Sequence, residues 1–147
     1  FHPGMPDAES FPFNTWTVRM TRKRAKVMIV DDNDIMRTLL RSILRAESYE
    51  VVGEARNGLA AVEMALNLKP QLVCMDVVMP EMDGLEALRA IKSANPEVKV
   101  VMITGNASND NVQEAVRNGA SGFIVKPFNA AKVLDTLDRV LAGAGKA

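Results

Sequence analysis

From Lys26 onward, short apolar runs alternate with segments whose apolar residues recur every three or four positions. The runs cover 26–30, 50–55, 71–75, 98–103 and 122–125, and they are rich in Val, Ile and Met. Runs apolar at successive positions predict strands buried on both faces, as in a parallel sheet between two helical layers. Between the first two, Ile35, Met36, Leu39, Leu40, Ile43 and Leu44 trace one helical stripe, expected to face the core. Weaker stripes run through 59–68, 85–91 and 112–116, the last within a helix expected over about 109–118. Val133, Leu134, Leu137, Val140 and Leu141 form the final one. Five strand–helix repeats predict an α/β domain with a doubly wound, five-stranded parallel sheet and five helices. No stretch approaches the ~20 apolar residues that span a bilayer, and no solenoid period is present.

The start of the chain departs from this pattern. Four of the seven aromatic residues (Phe1, Phe11, Phe13 and Trp16) and three of the seven prolines lie in the first sixteen positions. Neither a helical nor a strand period is visible there, and the basic start and apolar run of a secretory signal are missing. Residues 1–24 therefore read as a leader or disordered arm, expression-derived or native, with Met20 placed as a natural start. The competing reading is an arm that docks its aromatics on a partner. The domain is expected over 25–142, with 143–147 a flexible tail. The basic run Arg22-Lys23-Arg24 is expected to be solvated.

Composition narrows the chemistry. Of 147 residues, 48% are hydrophobic and 24% charged, with 18 basic against 18 acidic side chains. A neutral sum argues against a protein that coats nucleic acid or anionic membrane. Four basic and two acidic residues precede Ala25, so the remainder carries fourteen against sixteen. The single cysteine, Cys74, permits no intrachain disulfide and fits a cytoplasmic setting. His2, the only histidine, lies in the leader. Zinc sites built from His and Cys, and catalysis by a core histidine, are accordingly disfavoured.

In an open parallel sheet, ligands gather at the carboxyl ends of the strands, where strand order reverses. Those ends carry Asp31-Asp32, Asp76, Thr104 and Lys126-Pro127. Taken singly, an acidic pair after a strand most often caps a helix or turn, and a lysine before proline is usually a surface residue. Together they bring three carboxylates, a hydroxyl and an ammonium to one rim. Crowded carboxylates repel unless a cation bridges them. An all-oxygen donor set without His or Cys suits a hard ion, Mg²⁺ above all.

These residues carry a family resemblance. Val30-Asp31-Asp32, Met75-Asp76 with Met79-Pro80 and Met82-Asp83-Gly84, Ile103-Thr104-Gly105, Gly119-Ala120 and Lys126-Pro127-Phe128 occur in order and at fitting distances. Over about 26–141 the chain resembles the receiver domain of two-component response regulators, particularly stand-alone receivers of the chemotaxis-regulator type. The resemblance implies a flavodoxin-like strand order, 2-1-3-4-5. It makes Asp76 the phosphoacceptor, Asp32 a direct Mg²⁺ ligand, and Asp31 a carboxylate acting through metal-bound water. The Val78 backbone carbonyl becomes a third ligand, and Mn²⁺ a substitute ion. Lys126 is expected to pair with one phosphoryl oxygen and Thr104 to bond another, with the Lys126–Pro127 bond cis. Such a domain is a signalling module rather than an enzyme, supporting only its own phosphotransfer and autodephosphorylation.

The same resemblance implies the output. Thr104 and Phe123 would form the switch, and the fourth helix, fifth strand and fifth helix the signalling face. Asn129 is expected to cap the fifth helix. The segment 105–110 and the helix after it are expected to move most. Most chemotaxis-type relatives carry tyrosine where Phe123 stands, and phenylalanine presents no hydroxyl. Val78 and Asn106 fall at positions that tune phosphoryl lifetime; valine cannot orient an attacking water. Expected partners are a histidine kinase or histidine phosphotransfer protein as donor and a downstream protein target. Direct DNA binding and membrane insertion are not expected, and the chain is a monomer or a phosphorylation-linked dimer. Two alternatives stand. One is the receiver part of a larger regulator with its own output domain. The other is an Mg²⁺-dependent phosphohydrolase with an Asp nucleophile, disfavoured because Val78 occupies the place of its acid/base carboxylate.

Overall fold

The computed structural model describes residues 25–79, 82–105 and 109–143, with the backbone alone for 109–111. The expected leader 1–24, Asn106 with its expected lifetime-tuning role, Pro80, Glu81 and residues 144–147 lie outside the described residues. Ten elements alternate: β1 (Lys26–Val30), α1 (Asp34–Ala46), β2 (Glu50–Ala55), α2 (Gly58–Leu68), β3 (Leu72–Asp76), α3 (Gly84–Ala94), β4 (Lys99–Thr104), α4 (Asn109–Arg117), β5 (Gly122–Val125) and α5 (Ala130–Leu141). The strands form one sheet in the order β2-β1-β3-β4-β5, and every pairing is parallel. Among the described residues, no helix is long and apolar enough to cross a membrane.

Successive side chains of a strand point to opposite faces. Val27 and Ile29 accordingly join Leu40, Ile43 and Leu44 of α1 and Leu137 and Val140 of α5. Met28 and Val30 pack on the other side with Ala61, Leu88, Ile91 and Ala115 of α2, α3 and α4. Both faces of the inner strands are covered, which is why β1 and β3 read as apolar runs, while the edge strand β2 keeps Glu50 and Glu54. Each fully buried aliphatic side chain contributes ~1.5–3 kcal/mol relative to exposure.

Two expectations shift in the three-dimensional structure. β3 and β4 each begin and end one residue later than the apolar runs, taking in Asp76 and Thr104. Asp76 pairs with Ile103 and Thr104 with Val125, because the ladder joins backbones whatever the side-chain polarity. In α1, Leu40, Ile43 and Leu44 are buried, but Ile35 is 77% exposed and Leu39 41%. At about 3.6 residues per turn, the six-residue stripe is wider than the face the sheet and α5 can cover.

Helix starts are locally encoded. Asn33, Asn57, Asp83 and Asn129 are the N-caps, their side chains accepting from the N–H groups of Met36, Ala60, Glu86 and Lys132. Such caps contribute ~1 kcal/mol each. Capping of α1 by Asn33 relieves Asp31 and Asp32 of that task.

Candidate functional site

Strand register assembles the rim. Val30 lies opposite Met75, so the next residues, Asp31 and Asp76, emerge side by side at the β1/β3 boundary. Sequence order reverses there, since β1 is flanked by β2 and β3. β4 ends in Thr104, which pairs with Val125, the residue before Lys126. The Lys126 N–H donates to the Thr104 carbonyl at 2.7 Å, and the Lys126–Pro127 bond is cis.

Three carboxylates converge. Asp31, Asp32 and Asp76 each offer an oxygen, all within 4.8 Å of one another. Asp31 and Asp76 are buried and Asp32 is exposed. The Lys126 ammonium lies 3.4 Å from Asp31 Oδ2 and 3.5 Å from Asp76 Oδ1. Burial holds the Asp76 carboxyl above its ordinary range, and the charge of Asp31 adds to that; Lys126 opposes it and Asp32 reinforces it. Among the described residues, the Lys126 ammonium thus stands beside two of the three clustered carboxylates. That donor set is oxygen-only and partly shielded from water, and its excess negative charge fits a small hard divalent ion.

The remaining candidates fall around this centre. Thr104 is buried at the end of β4, beside the strand that carries Asp76. Phe123 lies opposite Met102 on β5, half-buried against the cluster shared by α2, α3 and α4. Val78 is 73% exposed, on the segment that follows the phosphoacceptor candidate.

The sequence pattern missed Arg37. Its guanidinium donates to the Asp31 carbonyl at 2.6 Å, pairs with Asp34, and lies 3.6 Å from Glu54 Oε1. Glu54 also meets Arg41 at 2.6 Å, so β2 and α1 are tied together behind Asp31. An arginine six positions after an aspartate has no sequence signature, because its partner is a backbone carbonyl. Ile35 and Leu39, on the same helical stripe as the buried Leu40, Ile43 and Leu44, face solvent instead.

Known proteins give the same picture. Residues 27–138 match the family model described as the response regulator receiver domain. The chain is 46% identical over 114 residues to the chemotaxis protein CheY of Listeria monocytogenes, covering 78% of this chain and 96% of that one. It is 43% identical over 115 residues to CheY of Thermotoga maritima, covering 78% and 96%. Among solved structures, the crystal structure of the CheX–CheY–BeF3–Mg²⁺ complex from Borrelia burgdorferi matches with a TM-score of 0.78. The identity there is 32%, over 80% of this chain and 89% of that chain.

Proposed function

This chain belongs to the response regulator receiver domain family, and from that premise we propose that Asp76 accepts a phosphoryl group from a histidine-bearing donor. The carrying observation is the convergence of Asp31, Asp32 and Asp76 within 4.8 Å, faced by the Lys126 ammonium. An Asp76 carboxylate oxygen forms the new O–P bond as the N–P bond of a donor phosphohistidine breaks. The electron pair of that bond stays on the imidazole nitrogen, which then takes a proton. Lys126 meets the charge on one phosphoryl oxygen, and the Thr104 hydroxyl donates to another. Asp31, Asp32, Asp76 and the Val78 carbonyl would hold Mg²⁺, with Mn²⁺ as a substitute. When bound, the ion supplies neutralisation of the crowded carboxylates and of the transferring group's charge. Arg37 keeps the Asp31 backbone in place beneath it.

The donor is read as another protein, since none of residues 25–147 is a histidine. Ile35, Leu39 and Val78 provide apolar surface near the rim on which a donor can dock. Phosphorylation adds up to two negative charges at the end of β3. Thr104 draws toward them, Phe123 turns into the space released, and the face of α4, β5 and α5 changes its fit for a downstream protein. Equal amide exchange across that face before and after phosphorylation would count against the switch.

The direct test of phosphoryl acceptance is incubation with acetyl phosphate and Mg²⁺, followed by intact mass. One added phosphoryl group is expected on the wild type and none on Asp76→Asn. Full labelling of the variant would overturn the assignment.

A further inference from the structure

The turn from β2 into α2 touches both segments that build the acidic rim. The Asp31 N–H donates to the carbonyl of Ala55, the last residue of β2, at 3.1 Å. Three residues later Gly58 opens α2, buried, and lies against the backbone of Met82, on the way from Asp76 to α3. A Cβ at position 58 would stand 2.1 Å from the Met82 carbonyl oxygen, 2.9 Å from its carbonyl carbon and 2.9 Å from its Cβ. The nearest two are backbone atoms, so no rotamer change relieves the overlap.

From the other side, Gly84 opens α3 and donates its N–H to the Val77 carbonyl at 2.8 Å. A Cβ there would lie 2.2 Å from the Asp76 carbonyl oxygen. The first residue of α3 thus packs on the Asp76–Val77 backbone, and the first residue of α2 packs on Met82, two positions before Gly84. α2 has little room to retreat, since Ala61 is fully buried against the sheet.

We propose that Gly58 is a positioning residue for metal-dependent phosphoryl transfer. Its missing side chain lets α2 hold the backbone after Asp76 at the distance from Asp31 that a shared cation requires. This rests on the Mg²⁺ reading given above. Relieving a 2.1 Å contact moves backbone by ~1 Å or more. A cation with short, near-octahedral bonds tolerates little of that.

The test titrates Mg²⁺ by calorimetry into wild type, Gly58→Ala and Gly53→Ala. Gly53 is the control because the atoms nearest a Cβ there belong to flexible side chains, Leu68 Cδ1 and Met64 Sδ at 2.7 Å and Met64 Cγ at 3.5 Å. Gly58→Ala is expected to weaken Mg²⁺ binding ~10-fold or more, with Gly53→Ala near wild type. Unchanged affinity in Gly58→Ala, or equal losses in both variants, would overturn the proposal. If Gly58→Ala does not fold, hydrogen exchange of the wild type decides. Mg²⁺ should then protect the amides of Ala60 and Ala61 over its binding range, and no protection would overturn the idea. A wild type that binds no Mg²⁺ would refute the metal reading itself, and the positioning role with it.

Discussion

Without a cation the acidic rim works against folding, and Asp76→Asn should make the metal-stripped protein more stable. Taking the 4.8 Å within which all three oxygens lie as the separation, and an effective dielectric constant near 20, each carboxylate pair repels by at least roughly 3.5 kcal/mol. Asp76 faces two such neighbours, Asp31 and Asp32. Its attraction to Lys126 at 3.5 Å returns about 4.7 kcal/mol on the same scale. The surplus repulsion is about 2 kcal/mol. Solvent screening around exposed Asp32 and the partly exposed Lys126 ammonium lowers it, while relief of Asp76 burial adds to it. A gain of ~1–2 kcal/mol is therefore expected at neutral pH, or ~3–8 °C in Tm for a domain of this size.

The gain has a defined pH dependence. The folded-state pKa of Asp76 is raised, by burial first and by Asp31 next. Protonation of Asp76 therefore favours the folded state, fully so below the ordinary value of 3.8. As pH falls through the raised pKa, wild type becomes neutral at Asp76, as the variant already is, and the stability gap closes. Urea denaturation followed by far-ultraviolet circular dichroism, in chelator and at a series of pH values, measures this. A variant less stable than wild type at neutral pH, or a gap that widens on acidification, would refute the electrostatic reasoning.

Two further outcomes follow from residues at and beneath the rim. Val78→Asn should shorten the lifetime of the phosphoryl group severalfold by giving an attacking water a polar partner. Val78 is 73% exposed, so stability should stay within ~0.5 kcal/mol; an unchanged lifetime, read by intact mass against time, would sink the tuning role. Burial pushes the Cys74 thiol up to about 12, so iodoacetamide should leave it unmodified in native buffer and label it in step with urea unfolding. Stoichiometric labelling of the folded protein within minutes would show that β3 is open to solvent.

Much of this molecule is legible one residue at a time. The apolar runs located all five strands, most plainly the inner ones, whose two covered faces leave no solvent side to keep polar. Asn129 marked a helix start because a side-chain oxygen one turn from unpaired N–H groups is a local arrangement. The rim residues Asp31, Asp32, Asp76, Thr104 and Lys126 were readable as strand endings, which topology requires to share one edge.

Other features depended on which parts of the chain meet. Register decided that Asp31 emerges beside Asp76 and that Lys126 reaches both, through the pairs Val30 with Met75 and Thr104 with Val125. Packing decided that Ile35 and Leu39 face outward, because the sheet covers only part of a six-residue stripe. It also placed Met82 against Gly58, a backbone contact between segments distant in sequence, and turned Arg37 onto the carbonyl of Asp31 six residues before it. Periodicity and capping are set by neighbours within a turn, and so are written in the sequence. Register, exposure and backbone contact are set by chain segments far apart, and only the folded structure brings them together.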